Sequence, residues 1–455
     1  MSSGLTGSML IAVHALMVQE SALSVTSNNI ANANTPGYSR QVAVLSEAAP
    51  VQEAGISYGT GVKLDQVTSI RDRLLELRIN DETQRQGDAQ AQLGGLQQVQ
   101  SLFSDPTRGI GADITAFFNS LNQLSTDPTS IPQRQAVLTA ANNVATDFHS
   151  TVTQLTDIRN NLNLSVSQAV NQINQINPQI ATLNTQIASL QSLGQDAGTL
   201  EDQRTQLMKQ LSGLTDIAVI QSDQGYTITT SDGSPLVVAG QSYSLQTSPD
   251  SVGMQHIYAQ GRDVTATMQG GQIGGLMTVR DQVIPQAIAS LDDLAGGLAT
   301  NFNTAHQAGF DLAGNAGQNF FSNVTGAGAA TNFSVQITDP SLIAASSDGS
   351  AGSNGNLTVL QAVQNQTLPT GPKPMDLYSQ LVFTVGNATA QAKARLDASD
   401  VSLQQLNDQR GAISGVSIDE ETTNLIRFQH AYQASARVIS VVDELTQTVM
   451  NMLSQ

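Results

Sequence analysis

The chain has 455 residues, with 19 basic against 37 acidic side chains and a formal charge of −18. At roughly 150 residues per domain, that length fits about three domains. The acidic balance argues against a general binder of phosphate backbones, which needs clustered Lys and Arg, and against docking on an anionic membrane. Charged residues make up only 12% of the chain, about half the usual share of roughly 25%. Polarity is carried instead by Gln, Asn, Ser and Thr, and a surface of that kind packs against copies of itself with little charge desolvation. With no Cys, disulfides and thiolate metal sites are excluded.

The first stretch predicts a helix. Met9, Leu16, Leu23 and Ile30 recur every seven residues, with Leu5 and Ala12 on the neighbouring rung and Gln19 and Thr26 degrading the pattern. It has no basic n-region, and His14, Gln19 and Glu20 interrupt it. It therefore reads as neither a cleaved signal peptide nor a transmembrane helix. "NNIANANTPGYSR" (28–40) stops the helix: Pro36 cannot continue it, and the Asn side chains can bond free backbone groups at its end. An extended region follows over 38–63, with turns expected at Gly55, Gly59 and Gly61.

Residues 69–214 read as mostly helical, with breaks at Asp105-Pro106, Asp127-Pro128 and Gly194–Gly198. In "VSQAVNQINQINPQIATLNTQIASL" the apolar residues from Val166 to Leu190 recur about every 3.4 positions, a coiled-coil-like stripe. Pro178 is expected to kink it or mark a boundary. From 216 to 269 the pattern alternates. "GYTITTSDGSPLVV" turns at Asp232-Gly233 and "IYAQGRDVTATM" repeats the strand–turn–strand pattern, so a small β domain is inserted here. Helix returns after 270. Residues 310–370 are loop-rich, with a strand-like "NFSVQI". Over 376–453 the chain is helical again. Positions 418, 421, 425, 428, 432, 435, 439, 442, 446, 449 and 453 alternate steps of three and four, and eight of the eleven are apolar or aromatic. Ser417 is placed as N-cap, with Asp419, Glu420 and Glu421 in the first turn.

Both ends thus carry a heptad stripe. Pairing of the two terminal helices is the simplest way to cover both. The alternatives are two ordinary amphipathic helices of a globular bundle, or helices that order only inside an assembly. A search for chemistry ends without a catalytic constellation. The five His are scattered, and the acid pairs Asp292-Asp293 and Glu420-Glu421 read as helix-end or solvated charges. "TGAGAAT" (325–331) fits a nucleotide-loop pattern only superficially, lacking a clear preceding strand and following helix. No catalytic, cofactor-binding or metal residue is assigned, and the chain is read as a non-enzyme without cofactor. The fold class is mainly α with an inserted β domain: terminal helices pairing as a coiled coil, a long-helix bundle and a small outer β domain.

"ALSVTSNNIANANTPGYSRQ" (22–41) and "SGVSIDEETTNLIRFQHAYQASARVISVVDEL" (414–445) closely resemble the two terminal signatures of the bacterial flagellar axial proteins, and "NANTPGYSRQ" is most similar to their hook-associated protein 1 branch. "GTGVKLDQVTSIRDRLLELRI" (59–79) and "NTAHQAGFDLAGNAGQNFF" (303–321) resemble internal segments of the same branch. The resemblance implies an inner-tube domain from 1–38 plus 411–455, a helix-rich shell from 39–215 plus 270–410, and an outer β domain at 216–269. It also implies a structural part that forms a ring at the distal hook end and carries the filament. Export would run without a cleaved signal, through a transient cytoplasmic state. The implied partners are copies of itself, the hook protein, a second junction protein (FlgL-like) and a cytoplasmic export chaperone (FlgN-like) on the last helix, with no nucleic acid and no membrane insertion. The assembly surface is expected at Leu16, Leu23, Asn28, Asn29, Ile30, Asn32, Asn34, Pro36, Gly37 and Tyr38, facing Leu425, Phe428, Gln429, Tyr432, Ile439 and Val442. The competing assignments are another axial protein of rod or hook, an axial protein whose outer domain is an adhesin, and a wall hydrolase fused to an axial module.

Overall fold

A computed structural model describes residues 2–453 except 54–55, 106 and 223–224. The turn expected at Gly55 and the proline of the Asp105-Pro106 break lie outside the described residues. Helix α1 (Ser2–Ala31) runs unbroken to the Asn-rich segment. There Asn32 N–H still donates to the Asn28 carbonyl, Thr35 N–H donates to the Asn32 carbonyl, and Gly37 takes φ +84°, a conformation that costs a side-chain-bearing residue dearly. Strand β1 (Gln41–Glu47) leads out to a small antiparallel pair, β2 (Val51–Glu53) and β3 (Ile56–Tyr58), and β4 (Val62–Ser69) returns along β1. This long hairpin folds back along α1. A Cβ built on Gly61 would sit 3.1 Å from Ile11 Cγ2.

The body is built on four helices: α2 (Arg73–Ser101), α3 (Ile110–Leu124), α4 (Ile131–Ser192) and α5 (Gly198–Leu214). The Asp72 carboxylate caps α2 by accepting from Leu75 N–H at 3.1 Å. Helix α4 runs through Pro178 as one element of 62 residues, so no boundary falls there. The lost intrahelical bond is outweighed by a row of buried contacts, Val170, Ile173, Ile176, Ile180 and Ile187 among them.

That apolar row packs beneath the β insert. Strands β5 (Ala218–Ser222), β6 (Gly225–Thr229), β7 (Pro235–Val238) and β8 (Gln241–Ser242) form one antiparallel sheet in chain order. A second sheet, ordered β11-β10-β9, comprises β9 (Leu245–Pro249), β10 (Gln255–Ala259) and β11 (Arg262–Asp263). Asparagines on α4 dock both sheets by standing in for strand backbone. Asn174 accepts from Leu245 N–H and donates to its carbonyl, both at 2.8 Å. Asn163 does the same between Gly253 O and Gln255 N–H, and Asn184 between Ala239 O, Tyr226 O and Tyr226 N–H. A buried amide bonded at both ends loses little to desolvation.

Helix α6 (Gly271–Thr278) passes through a π-helical turn, Val279–Val283, into α7 (Ile284–Gln307); after a long loop come α8 (Gly355–Ala362), α9 (Pro374–Ser414) and α10 (Ile418–Leu453). The "NFSVQI" segment makes only a single bridge, Phe321 with Val335. It is held there by side chains: Phe333 packs at 4.5 Å on Phe321, within a cluster that also joins Phe117, Phe302 and Phe320. The Gly-rich 325–331 loop is likewise a structural element. Gly328 and Ala330 N–H donate at 2.9 and 2.8 Å to Asp292, which is buried. Asp292 is therefore no solvated charge: its carboxylate already occupies the amides that a phosphate would need.

His306 is fully buried beside this cluster, with Nδ1 2.6 Å from the Gln318 carbonyl and Nε2 accepting from Ala344 N–H. That arrangement requires the neutral ring, and burial pulls its pKa down to about 4. The unfolded chain takes up this proton near pH 6.5 and the folded chain only near 4. Stability is therefore full above 6.5, is lost as pH falls between the two values, and levels off below. The expected loss is about 3 kcal/mol. Denaturant melts from pH 7 to 4 on wild type and His306→Gln check it: the variant should lack this component.

Candidate assembly surface and the elbow that carries it

Helices α1 and α10 pair antiparallel, because Asn29 near the end of α1 bonds Glu421 in the first turn of α10 at 3.2 Å. Their contact is made mostly of small residues on α1 and of larger ones on α10. On α1 the buried side is Ala12, Val18, Ala22, Thr26 and Asn29. On α10 the protected side is Glu421, Leu425, Phe428, Ser435, Ile439 and Val442, following the three-and-four alternation of that helix. The α1 stripe is rotated from the heptad read in its sequence. Alanines let the helices approach closely, which leaves Leu16, Leu23 and Ile30 half-buried on the flank and Met9 exposed.

The pair consequently leaves much of its apolar surface uncovered: Met17 is 61% exposed, Leu445 48% and Met450 64%, with Leu10, Ile426 and Val441 similarly open. By length and composition alone, Gly4–Ala31 is apolar enough to cross a membrane; in the fold it lies against α10 and the long hairpin. Apolar exposure on this scale is an interaction surface.

Between the pair and the body lies the elbow, residues 32–41. Asn29 uses all four of its bonding positions there. It donates to Gln41 O and Glu421, and it accepts from Gln41 N–H and the Tyr38 hydroxyl. Asn28 donates to Gln41 Oε1 and to the Tyr38 oxygen, and accepts from Asn32. Burial, then the carboxylates of Asp202 and Glu421, pushes the Tyr38 hydroxyl up to about 12, so it stays a donor. Three arginines lock the arrangement. Arg40 pairs with Glu421 at 2.7 Å and Glu420 at 3.3 Å. Arg410, at the end of α9, reaches Glu76 on α2 at 2.5 Å and the Gly37 carbonyl at 2.9 Å. Arg71 joins Glu201, Asp202 and the Gly198 carbonyl of α5, while Asp202 also accepts from Ser39 N–H and Oγ. The ends of α1, α2, α5, α9 and α10 are thus fastened to one turn.

The expected surface residues separate into two groups. Asn28, Asn29, Asn32, Gly37 and Tyr38 join the elbow, and buried Asn29 has no bonding position left for a neighbour. Asn34, Pro36, Gln429 and Tyr432 are exposed; Leu16, Leu23, Ile30, Leu425, Phe428 and Ile439 are half-buried, and Val442 is buried between the helices. Sequence reading passed over Arg40, Arg71 and Arg410. Their one signal was scarcity: in a chain with so few basic residues, each arginine beside a helix end has several acids to answer.

The comparisons with known proteins agree along the chain. A family model described as the helical domain of flagellar hook-associated protein FlgK matches residues 96–321. Models of the flagella basal body rod protein and of the C-terminal region of the basal body rod FlgEFG proteins match 9–38 and 409–452. Flagellar hook-associated protein 1 of Bacillus subtilis (strain 168) is 29% identical, with 97% of each chain covered. Its counterpart in Escherichia coli (strain K12) is 27% identical over 97% of this chain and 98% of that one. The solved structure of the flagellar hook junction protein FlgK from Burkholderia pseudomallei superposes with a TM-score of 0.67 at 19% identity, covering 74% of this chain and all of that one.

Proposed function

Because the chain belongs to the flagellar hook-associated protein 1 (FlgK) family, structural proteins of the flagellar hook–filament junction, we propose that it assembles as a ring of copies on the distal end of the hook and forms the seat on which the filament is built. The observation that carries this reading is the uncovered apolar strip of the α1–α10 pair. In a ring it is buried against the same strip of adjacent copies, and burial of that kind contributes about 25 cal/mol per Å². The termini alone fit rod proteins equally well, since the rod models match there. The match of 96–321 to the hook-associated helical domain favours the junction over rod or hook. The family is structural, and the work done is binding and geometric matching.

The finer partners follow from the surfaces. The hook protein lies below the ring and a second, FlgL-like junction protein above it. Before export through the flagellar secretion apparatus, a FlgN-like chaperone covers the apolar face of α10, which water would otherwise meet along its whole length. The elbow residues act inside each copy, and Leu16, Leu23, Tyr432 and their exposed neighbours act between copies. The test is a strain lacking this gene, examined by electron microscopy with a blot for flagellin in the medium. Complete hooks without filaments and shed flagellin are expected. Missing hooks would make the chain a rod or hook part, and normal flagella would overturn the reading.

A further inference from the structure

Arg204, on α5, is 6% exposed. Its guanidinium stacks on Tyr226, with Cζ 3.9 Å from the ring centroid, and Nη1 donates to Asn184 Oδ1 at 3.0 Å. Nε makes no hydrogen bond to any of the described residues. Among the described residues no carboxylate pairs with it. The nearby acids are committed elsewhere: Glu201 to Arg71 and Gln191, Asp202 to Arg71 and Ser39, Glu76 to Arg410. Glu201 acts on the guanidinium without bonding to it, and a buried N–H left without an acceptor is unfavourable.

This side chain lines a cavity of about 220 Å³ between α2, the end of α4, α5 and the β5–β6 pair. Leu77, Ile187, Met208 and Val219 give the wall an apolar part, and Arg73 adds positive charge, Arg71 being paired with Glu201 and Asp202. We propose that this cavity is a carboxylate-binding site anchored by Arg204 Nε. A carboxylate supplies the charged acceptor that Nε lacks, and its carbon chain suits the apolar wall. Glu76 and Glu201 on the same lining repel any anion, a phosphate dianion about twice as strongly as a carboxylate. Two sources share this chemistry: an Asp or Glu of an adjoining copy, in a chain with 37 acidic residues, or a free short-chain carboxylate.

The probe is acetate, titrated into the full-length chain with chloride at equal ionic strength as control, following Tm and the Arg204 Nε–H resonance. A saturable response to acetate and none to chloride is expected. Arg204→Gln and the cavity-filling Ala188→Phe should each weaken it about tenfold or more. Ala188→Phe leaves Arg204 in place, so the idea stays testable if Arg204→Gln fails to fold. Absence of an acetate-specific response, or an unchanged response in a folded Ala188→Phe, would overturn the site. Repeating the titration at concentrations where the chain self-associates separates the sources. Loss of the acetate response assigns the site to a neighbour's carboxylate, and persistence assigns it to a free one.

Discussion

Tyr432→Asp is expected to leave the isolated chain folded and to abolish its assembly. Tyr432 is 39% exposed on α10, so in the single chain a carboxylate there stays in water and shifts stability by about 0.5 kcal/mol at most. In the ring the same carboxylate is desolvated against apolar neighbours in every copy, a penalty of several kcal/mol per ion without a partner. Melting curves and circular dichroism should match wild type, while cells show complete hooks, no filaments and flagellin in the medium. Phe428→Asp is the contrasting variant. Phe428 is half-buried, with the Arg427 guanidinium 4.9 Å over its ring, so its loss weakens the pairing of α1 and α10 as well. Normal filaments on Tyr432→Asp would exclude this face from the contact between copies.

Glu421→Ala should detach the terminal pair from the body without unfolding the body. The carboxylate is 2% exposed and answers both Arg40 Nε and Asn29 Nδ2. Arg40 keeps Glu420 at 3.3 Å and is about a fifth exposed, so its charge is not stranded. The expected cost is therefore about 2–3 kcal/mol, below that of a fully enclosed pair. Hydrogen exchange should speed up along α1 and α10 and stay unchanged in α4 and the β domain. Glu421→Gln, which keeps an acceptor in place, should recover part of the protection. Wild-type exchange in α1 would mean that the other elbow bonds suffice.

The helical and β regions were legible because they rest on periodicity, which local sequence carries in full. The last helix illustrates this: six positions of its three-and-four alternation, from Glu421 to Val442, lie on the side it protects, while Tyr432 stands exposed. The first helix does not, because its contact was settled by side-chain size. Alanines at 12 and 22 won the close approach, and the larger Leu16 and Leu23 were turned to the flank. Pro178 marks no boundary, since one missing N–H cannot outweigh a long row of buried residues. The docking role of the α4 asparagines was not legible, because their partners are backbone groups of strands tens of residues away. The role of Asp292 was hidden for the same reason, its partners lying 36 and 38 residues on. Arginine pairs such as Arg40–Glu421 span 381 positions, and no local pattern announces them.

The length of α4 gives the elbow a mechanical meaning. At 1.5 Å per residue its 62 residues extend about 93 Å, and its last turn is tied to the elbow side through Gln191 and Glu201. It is therefore a lever arm with its pivot at the charged turn. A tilt of about 5° at the pivot would swing the far end by about 8 Å on that length. The few ångström-scale bonds of Arg40, Arg71 and Arg410 thus set where the outermost parts of the molecule stand, and a rotating assembly would transmit torque through them.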